Sequence, residues 1–224
     1  MKYLAIALVA LLPLCVPQAE GQGTFEADAV ISKEPIFPDG TAVQCDLPVK
    51  LHTRNTGGSD GPRGPGSGSG LCVWTSGQHA ACWQNLPLLF DLQAYARQRP
   101  GGGHPAKWDG YMTDIAKRAG VDKPRYLQIE SKNLEVLEVA LRSGRMVCVT
   151  YYTSPAKRYG GARILHMVNL VHLDSQRACF LDNNFPGTWE FCTREQASRT
   201  MCDGNKLYWA VVFLNPGPPP CPKN

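Results

Sequence analysis

The 224 residues carry 23 Lys and Arg against 19 Asp and Glu, a formal net charge of +4 at pH 7. The basic residues are spread along the chain, with no cluster beyond Lys157 and Arg158. That distribution argues against a nucleic-acid partner and reads as ordinary solvated charge.

The first 21 residues read as a signal peptide. Lys2 opens a short positive region, residues 4–16 are apolar but too few to span a bilayer, and Ala19, Glu20 and Gly21 form a small-x-small cleavage site. The mature chain is expected to start at Gln22, outside the cytoplasm and without stable membrane insertion. Cys15 follows Leu14, too large for the usual small residue of a lipobox. About 200 residues then remain, a size that suits one domain with a sizeable core. Eight cysteines fall in that part, at 45, 72, 82, 148, 179, 192, 202 and 221. An oxidising compartment predicts that they are largely paired; Cys192 with Cys202 could close a loop, and Cys45 with Cys221 could tie the ends, although spacing does not give connectivity. No Cys-x-x-Cys and no His/Cys cluster with zinc-ligand spacing occurs, so no metal is expected.

Residues 22–54 read as an extended N-terminal segment with a short strand at 29–31. Residues 56–70 are so rich in Gly, Ser and Pro that they can be neither helix nor sheet interior, and they deliver Cys72 along the surface. Helices are predicted over 73–83, 88–97 and 105–119. Pro87 suits a helix start, and Trp108, Tyr111, Met112, Ile115 and Ala119 form an apolar stripe closed by Gly120. A short strand follows at 126–129, then a helix through Leu134, Leu137, Ala140 and Leu141 that ends at Gly144. Apolar, β-branched and aromatic runs at 146–152, 164–173, 178–181 and 207–214 predict an antiparallel sheet. Helices first and strands later make an α+β domain. Residues 215–224 form a Pro-rich surface tail.

Cys72 emerges from the glycine-rich stretch where a helix can begin. There the unpaired N–H groups and the positive dipole end favour a thiolate. A nucleophilic cysteine also needs a base and a group to orient that base. His79 lies ~10 Å further along the same helix and points away from its start. His52 and His104 sit in polar, turn-rich stretches and are expected to be solvated. His166 and His172 differ by an even number, so they are predicted to share a strand face ~20 Å apart. His166 starts that strand after a loop, where a cleft edge is expected. The next strand runs back antiparallel and brings Asp182 and Asn183 to the level of His166. Adjacent strand residues face opposite ways, so only one of the two can be the orienter.

Gly70, Cys72 and Trp74 resemble the nucleophile motif of papain-like cysteine peptidases, nearer to bacterial bacteriocin-processing-type enzymes than to papain. Gly101, Gly102 and Gly103 before a helix, with Gly120 and Val121 after it, resemble a second family segment, and the run from His166 to Val171 resembles the catalytic His strand. The resemblance extends over most of residues 55–214. It implies a papain-like hydrolase domain there, with an N-terminal helical part carrying the Cys and a C-terminal sheet carrying the His. Asn183 followed by Trp189 is similar to the papain-type Asn stretch, whereas Asp182 matches the bacterial Asp-Pro position; the preference is slight, for Asn183. The family's upstream Gln is replaced here by Gly or Ser. Asn55, the nearest upstream amide, is therefore the expected oxyanion donor together with the backbone N–H of Cys72.

The implied activity is hydrolysis of peptide or protein amide bonds without a cofactor. Two other expectations remain open: an inactive binding domain on the same frame, and a cell-envelope amidase or acyltransferase.

Overall fold

The computed structural model describes residues 28–55, 70–99, 103, 105–215 and 217. The expected signal peptide, the glycine-rich stretch 56–69 and most of the tail lie outside them, as do Cys15, Cys221 and His104. The described chain is an α+β fold built on a seven-stranded antiparallel sheet. Its strands are β1 (Val30–Ser32), β2 (Tyr126–Ser131), β3 (Val147–Tyr151), β4 (His166–Leu173), β5 (Arg177–Leu181), β6 (Trp189–Thr193) and β7 (Tyr208–Phe213), in the spatial order β1-β6-β5-β4-β3-β7-β2. Among the described residues there are five α-helices: α1 (Leu71–Trp83), α2 (Leu92–Arg97), α3 (Pro105–Ala119), α4 (Glu135–Arg142) and α5 (Arg194–Cys202). No helix among them is long and apolar enough to cross a membrane.

Every residue of β3, β4 and β7 is buried. The middle of the sheet is therefore covered on both faces, which explains why these strands read as continuous apolar runs. Helix α1 packs on β4, β3 and β7, and α5 on β3, β5 and β6. Ten of the 13 residues of α1 are buried, among them Thr75, Ser76 and His79. A helix enclosed on nearly all sides must give its polar groups partners, and these turn out to fix its position.

The front of α1 is clamped by α3. Trp74 stacks on Trp108 at 5.3 Å and on Tyr111 at 4.2 Å, its ring nearly parallel to both. Gly70, just before the helix, has φ +72, a left-handed conformation that favours glycine. Gly103 lies so close that a Cβ there would fall 2.3 Å from the Cβ of Val73.

The predicted helix over 88–97 is a 3₁₀ turn (Pro87–Leu89) followed by α2, starting only at Leu92. The segment before α1 is better integrated than its composition suggests. β1 pairs with β6, while Phe37, Val43, Cys45 and Leu47 enter the core and the Cys45 N–H donates to Val171 O at 2.9 Å.

Among the described residues Cys72, Cys82, Cys148, Cys179, Cys192 and Cys202 are free thiols. Cys192 lies in β6 and Cys202 is the last residue of α5. Nine helical residues separate their backbones by roughly 13 Å, twice the reach of a disulfide. The segment between them is a helix rather than a closed loop. Its capping box, Thr193 with Gln196, is present in full: the Thr193 hydroxyl accepts from the Gln196 N–H at 3.1 Å, and the Gln196 side chain accepts from the Thr193 N–H at 2.8 Å.

Gly77 sets how closely α1, α2 and α3 approach. An added Cβ would meet Trp108 Cη2 at 2.7 Å and Leu92 Cδ2 at 2.9 Å, and the stacked indole cannot swing away. Overpacking costs about 1–3 kcal/mol, against at most ~1 kcal/mol gained in helix propensity. Gly77→Ala is therefore expected to lower the urea midpoint with an unchanged slope.

Candidate active site

Cys72 is the second residue of α1, within its first turn. His166 is the first residue of β4, and Asp182 directly follows the last residue of β5. The Cys72 thiol and the His166 imidazole line the same cavity, and each favours the charged form of the other. His166 Nε2 donates in turn to Asp182 Oδ1 at 2.8 Å. With Nε2 engaged by the carboxylate, Nδ1 is the ring nitrogen available to the thiol. The three side chains form a line: thiol, imidazole, carboxylate.

Of the two candidate orienters, Asp182 is the one that meets His166. Its carboxylate is fully buried and has four donors. Oδ1 accepts from His166 and from the Asn184 N–H at 2.9 Å; Oδ2 accepts from the Tyr151 hydroxyl at 2.6 Å and the Tyr159 hydroxyl at 2.7 Å. Asn183, slightly preferred from the sequence, points the other way. Its Nδ2 donates to Ser76 Oγ at 2.9 Å, to Met167 O at 2.9 Å and to Cys72 O at 3.2 Å. Asn183 therefore holds the helix that carries the thiol and makes no hydrogen bond to the imidazole. Asn55 lies beside the site through its backbone, its N–H donating to Asn183 O at 2.8 Å. It is not among the residues lining the cavity at Cys72.

The remaining described histidines have structural partners. His79 is fully buried: its Nδ1–H donates to Asn169 Oδ1 at 3.1 Å, and Nε2 accepts from the Thr53 N–H at 2.8 Å. His52, expected to be solvated, is partly buried; it donates from Nε2 to Leu47 O at 2.7 Å, accepts at Nδ1 from the Gly187 N–H at 3.0 Å, and stands edge-on to Trp189. His172 bonds Asp174 at 3.1 Å and packs against Phe37.

His172 does not share a face with His166. Asn169 pairs with Leu181 and His172 with Cys179, which are three residues apart on β4 but only two on β5. One extra residue at the bulge reverses the alternation, so His172 joins Asn169 on the opposite face.

The charges favour an ion pair. Burial opposes a Cys72 thiolate, but the hydrogen bond and charge of His166, with the N–H groups of Met167 and Val73, hold the thiol below its ordinary value. Burial likewise opposes a cationic His166; its bonds to Asp182 and Cys72 and their charges raise it to about 10. Burial also works against ionised Asp182, yet His166, Tyr151 and the Asn184 N–H lower it to about 2. By contrast, burial pushes Cys82, Cys148, Cys179, Cys192 and Cys202 up.

The pair opens onto a cavity of about 770 Å³ between the starts of α1 and α3 and the sheet. Val73, Met167 and Trp209 give it an apolar lining, and Leu165 and Leu207 stand at its rim, 71% and 44% exposed. Such an arrangement can generate a thiolate beside a proton donor, facing a space large enough for a side chain or a short peptide. Sequence reasoning passed over Tyr151 and Tyr159. Their hydroxyls reach Asp182 from a strand end and from a loop, an approach that no local sequence pattern marks.

Burial, with the neighbouring His52, holds His79 down at about 4. It is neutral in the folded chain, whereas the unfolded chain takes up its proton near 6.5. The stability due to neutral His79 is present above pH 6.5 and lost as the pH falls from 6.5 to about 4. The full loss is about 3 kcal/mol. Urea unfolding at pH 7, 5.5 and 4.5 is expected to show this decline, and a His79→Gln chain, less stable at pH 7, is expected to show a shallower one.

Comparison with known proteins finds no protein-family model and no curated protein that matches the chain.

Proposed function

We propose that the chain is a papain-like cysteine hydrolase that cleaves peptide amide bonds, exported as residues 1–21 imply. The observation that carries this reading is the continuous line from Cys72 through His166 to Asp182, at the first turn of a buried helix and at the mouth of a cavity. A helix-borne thiol facing a sheet-borne imidazole and its orienter is also the layout the sequence resemblance implies.

The chemistry follows from the roles. The Cys72 thiolate attacks the scissile carbonyl carbon, forming a C–S bond and a tetrahedral oxyanion. The oxyanion forms at the N-terminus of α1, where the Cys72 N–H and the positive end of the helix dipole stabilise the developing charge. Collapse breaks the C–N bond, and the amine leaves with a proton from the His166 imidazolium. Water then attacks the thioester while His166 takes its proton, and the thiolate departs as the acid product forms. Asp182 keeps the imidazole in the tautomer and orientation that both steps need, and it stabilises the cation between them.

The test is alkylation of the native chain by iodoacetamide at pH 6, with labelled peptides identified by mass. Ordinary thiols, with pKa near ~8.5, are nearly inert there. Labelling is expected at Cys72 and not at Cys82, Cys148, Cys179, Cys192 or Cys202, which burial pushes up. His166→Ala is expected to abolish it. A Cys72 that is unreactive at pH 6 would leave a binding domain as the better reading.

The neighbours Asp182 and Asn183 give a sharper comparison. Asp182→Asn is expected to slow alkylation at pH 6 by about tenfold or more, because the imidazole loses the charge behind it. Asn183→Ala is expected to cost about 1–3 kcal/mol in stability, because it leaves buried acceptors on α1 and β4 without their donor.

A further inference from the structure

Two tyrosines close the line behind Asp182. Tyr151 is the last residue of β3, paired in register with His166; Tyr159 comes from the loop between β3 and β4. Both hydroxyls donate to the same oxygen, Asp182 Oδ2, at 2.6 and 2.7 Å. Their rings flank the imidazole, with centroids 5.8 and 6.0 Å from that of His166. The Tyr159 oxygen accepts from Asn184 Nδ2 at 2.8 Å, so its own proton is directed to Asp182.

The loop that carries Tyr159 is pinned from behind. Glu190, fully buried in β6, accepts from the Ser154 hydroxyl and, at 2.7 Å, from the Ala156 N–H. Arg158 lies 3.7 Å from Glu190, donates to Thr188 Oγ1 at 2.9 Å and covers the ring of Phe185. This anchoring has no contact with the thiol, and its effect at the site is to hold one phenol at one oxygen.

We propose that Tyr151 and Tyr159 act as positioning residues, a pair of phenols that fix the Asp182 carboxylate so that Oδ1 stays on His166 Nε2 and the Cys72–His166 ion pair persists. A carboxylate can turn about its last torsion. Two donors on Oδ2, with the Asn184 N–H on Oδ1, leave it one orientation. The same donors replace the water that a buried carboxylate lacks, so Asp182 remains an anion facing the imidazolium. The charged and titratable groups around it are His166 from β4, Cys72 from α1, Tyr151 from β3, Tyr159 from the loop and Glu190 from β6.

This inference rests on the hydrolase reading, and the experiment separates the two. The alkylation rate of Cys72 by iodoacetamide is measured from pH 4 to 9 in the full chain, in Tyr151→Phe, Tyr159→Phe and the double variant, each with Asp182 intact and as Asp182→Asn. With Asp182 intact, the double variant is expected to shift the acid limb up by about one pH unit, slowing the reaction about tenfold at pH values below the wild-type midpoint and little on the plateau above it. With Asp182→Asn already in place, removing the phenols is expected to have no further effect. A merely structural role would leave the acid limb where it is.

A double variant with native near-UV circular dichroism and the original acid limb overturns the proposal, and so does an equal loss in the Asp182→Asn background. Should the double variant not fold, Tyr159→Phe decides, since that ring sits in a loop and loses only its hydroxyl. A threefold or greater loss on the acid limb, below the wild-type midpoint, sustains the proposal, and no loss there overturns it. A wild-type chain inert at pH 6 overturns the hydrolase reading and the phenol pair with it, whereas a reactive wild type with unmoved variants overturns the phenol pair alone.

Discussion

The candidate site depends on a polar seam between α1 and β4. Asn183 Nδ2 reaches Cys72 O, Ser76 Oγ and Met167 O; Ser76 Oγ donates to Met167 O at 3.0 Å; Asn169 Nδ2 donates to Ser76 O at 3.0 Å and its Oδ1 accepts from His79. All of these groups are buried, so sliding or rotating the helix would break several hydrogen bonds at once without water to replace them. Apolar packing alone tolerates small shifts along a helix axis. The seam does not, and so it fixes where the first turn of α1 stands relative to the first residue of β4.

The strand pleat then divides the work between two neighbouring residues. Asp182 turns to His166 and the two phenols, and Asn183 turns to α1. One residue governs the charge on the imidazole and the other governs the distance of the thiol. Because both sit just past the end of β5, any shift of that strand would disturb both functions together. The extended segment before α1 reinforces the same point, since the Asn55 N–H binds Asn183 O and the Thr53 N–H binds His79.

Much of this was legible in the sequence. The glycine before Cys72, the apolar stripe of α3 and the β-branched runs of β3, β4 and β7 each obey a local rule, and the antiparallel return from His166 to Asp182 needed only strand counting. What was not legible arises from non-local packing. The bulge near Val171 has no local marker, so an even spacing placed His172 on the wrong face. The choice between Asp182 and Asn183 turned on pleat direction, which the sequence leaves open, and motif similarity favoured the residue that braces α1. Thr193 and Gln196 did mark the start of α5, but Cys192 and Cys202 drew attention to a loop closure that a nine-residue helix makes impossible. The roles of Tyr151 and Tyr159 come from a strand end and a loop that meet only in three dimensions.

Two effects could hold the Cys72 thiolate, and their sizes differ. A helix end contributes typically 0.3–1 kcal/mol, up to ~2 in partly buried geometry. An opposite unit charge at contact distance contributes roughly 4 kcal/mol at an effective dielectric constant near 20. Burial of Cys72 is the largest influence and acts against the thiolate, so the helix end alone would leave a neutral thiol. The imidazolium reverses that balance, and it is itself buried and opposed by the same desolvation. Only an anion behind it can keep it charged, and that anion must have its own donors to survive without water. The balance at the Cys72 thiol is thus set less by the helix on which it sits than by Asp182, just past β5, and by the phenols of Tyr151 and Tyr159, two and three steps from the thiol in the line of side chains.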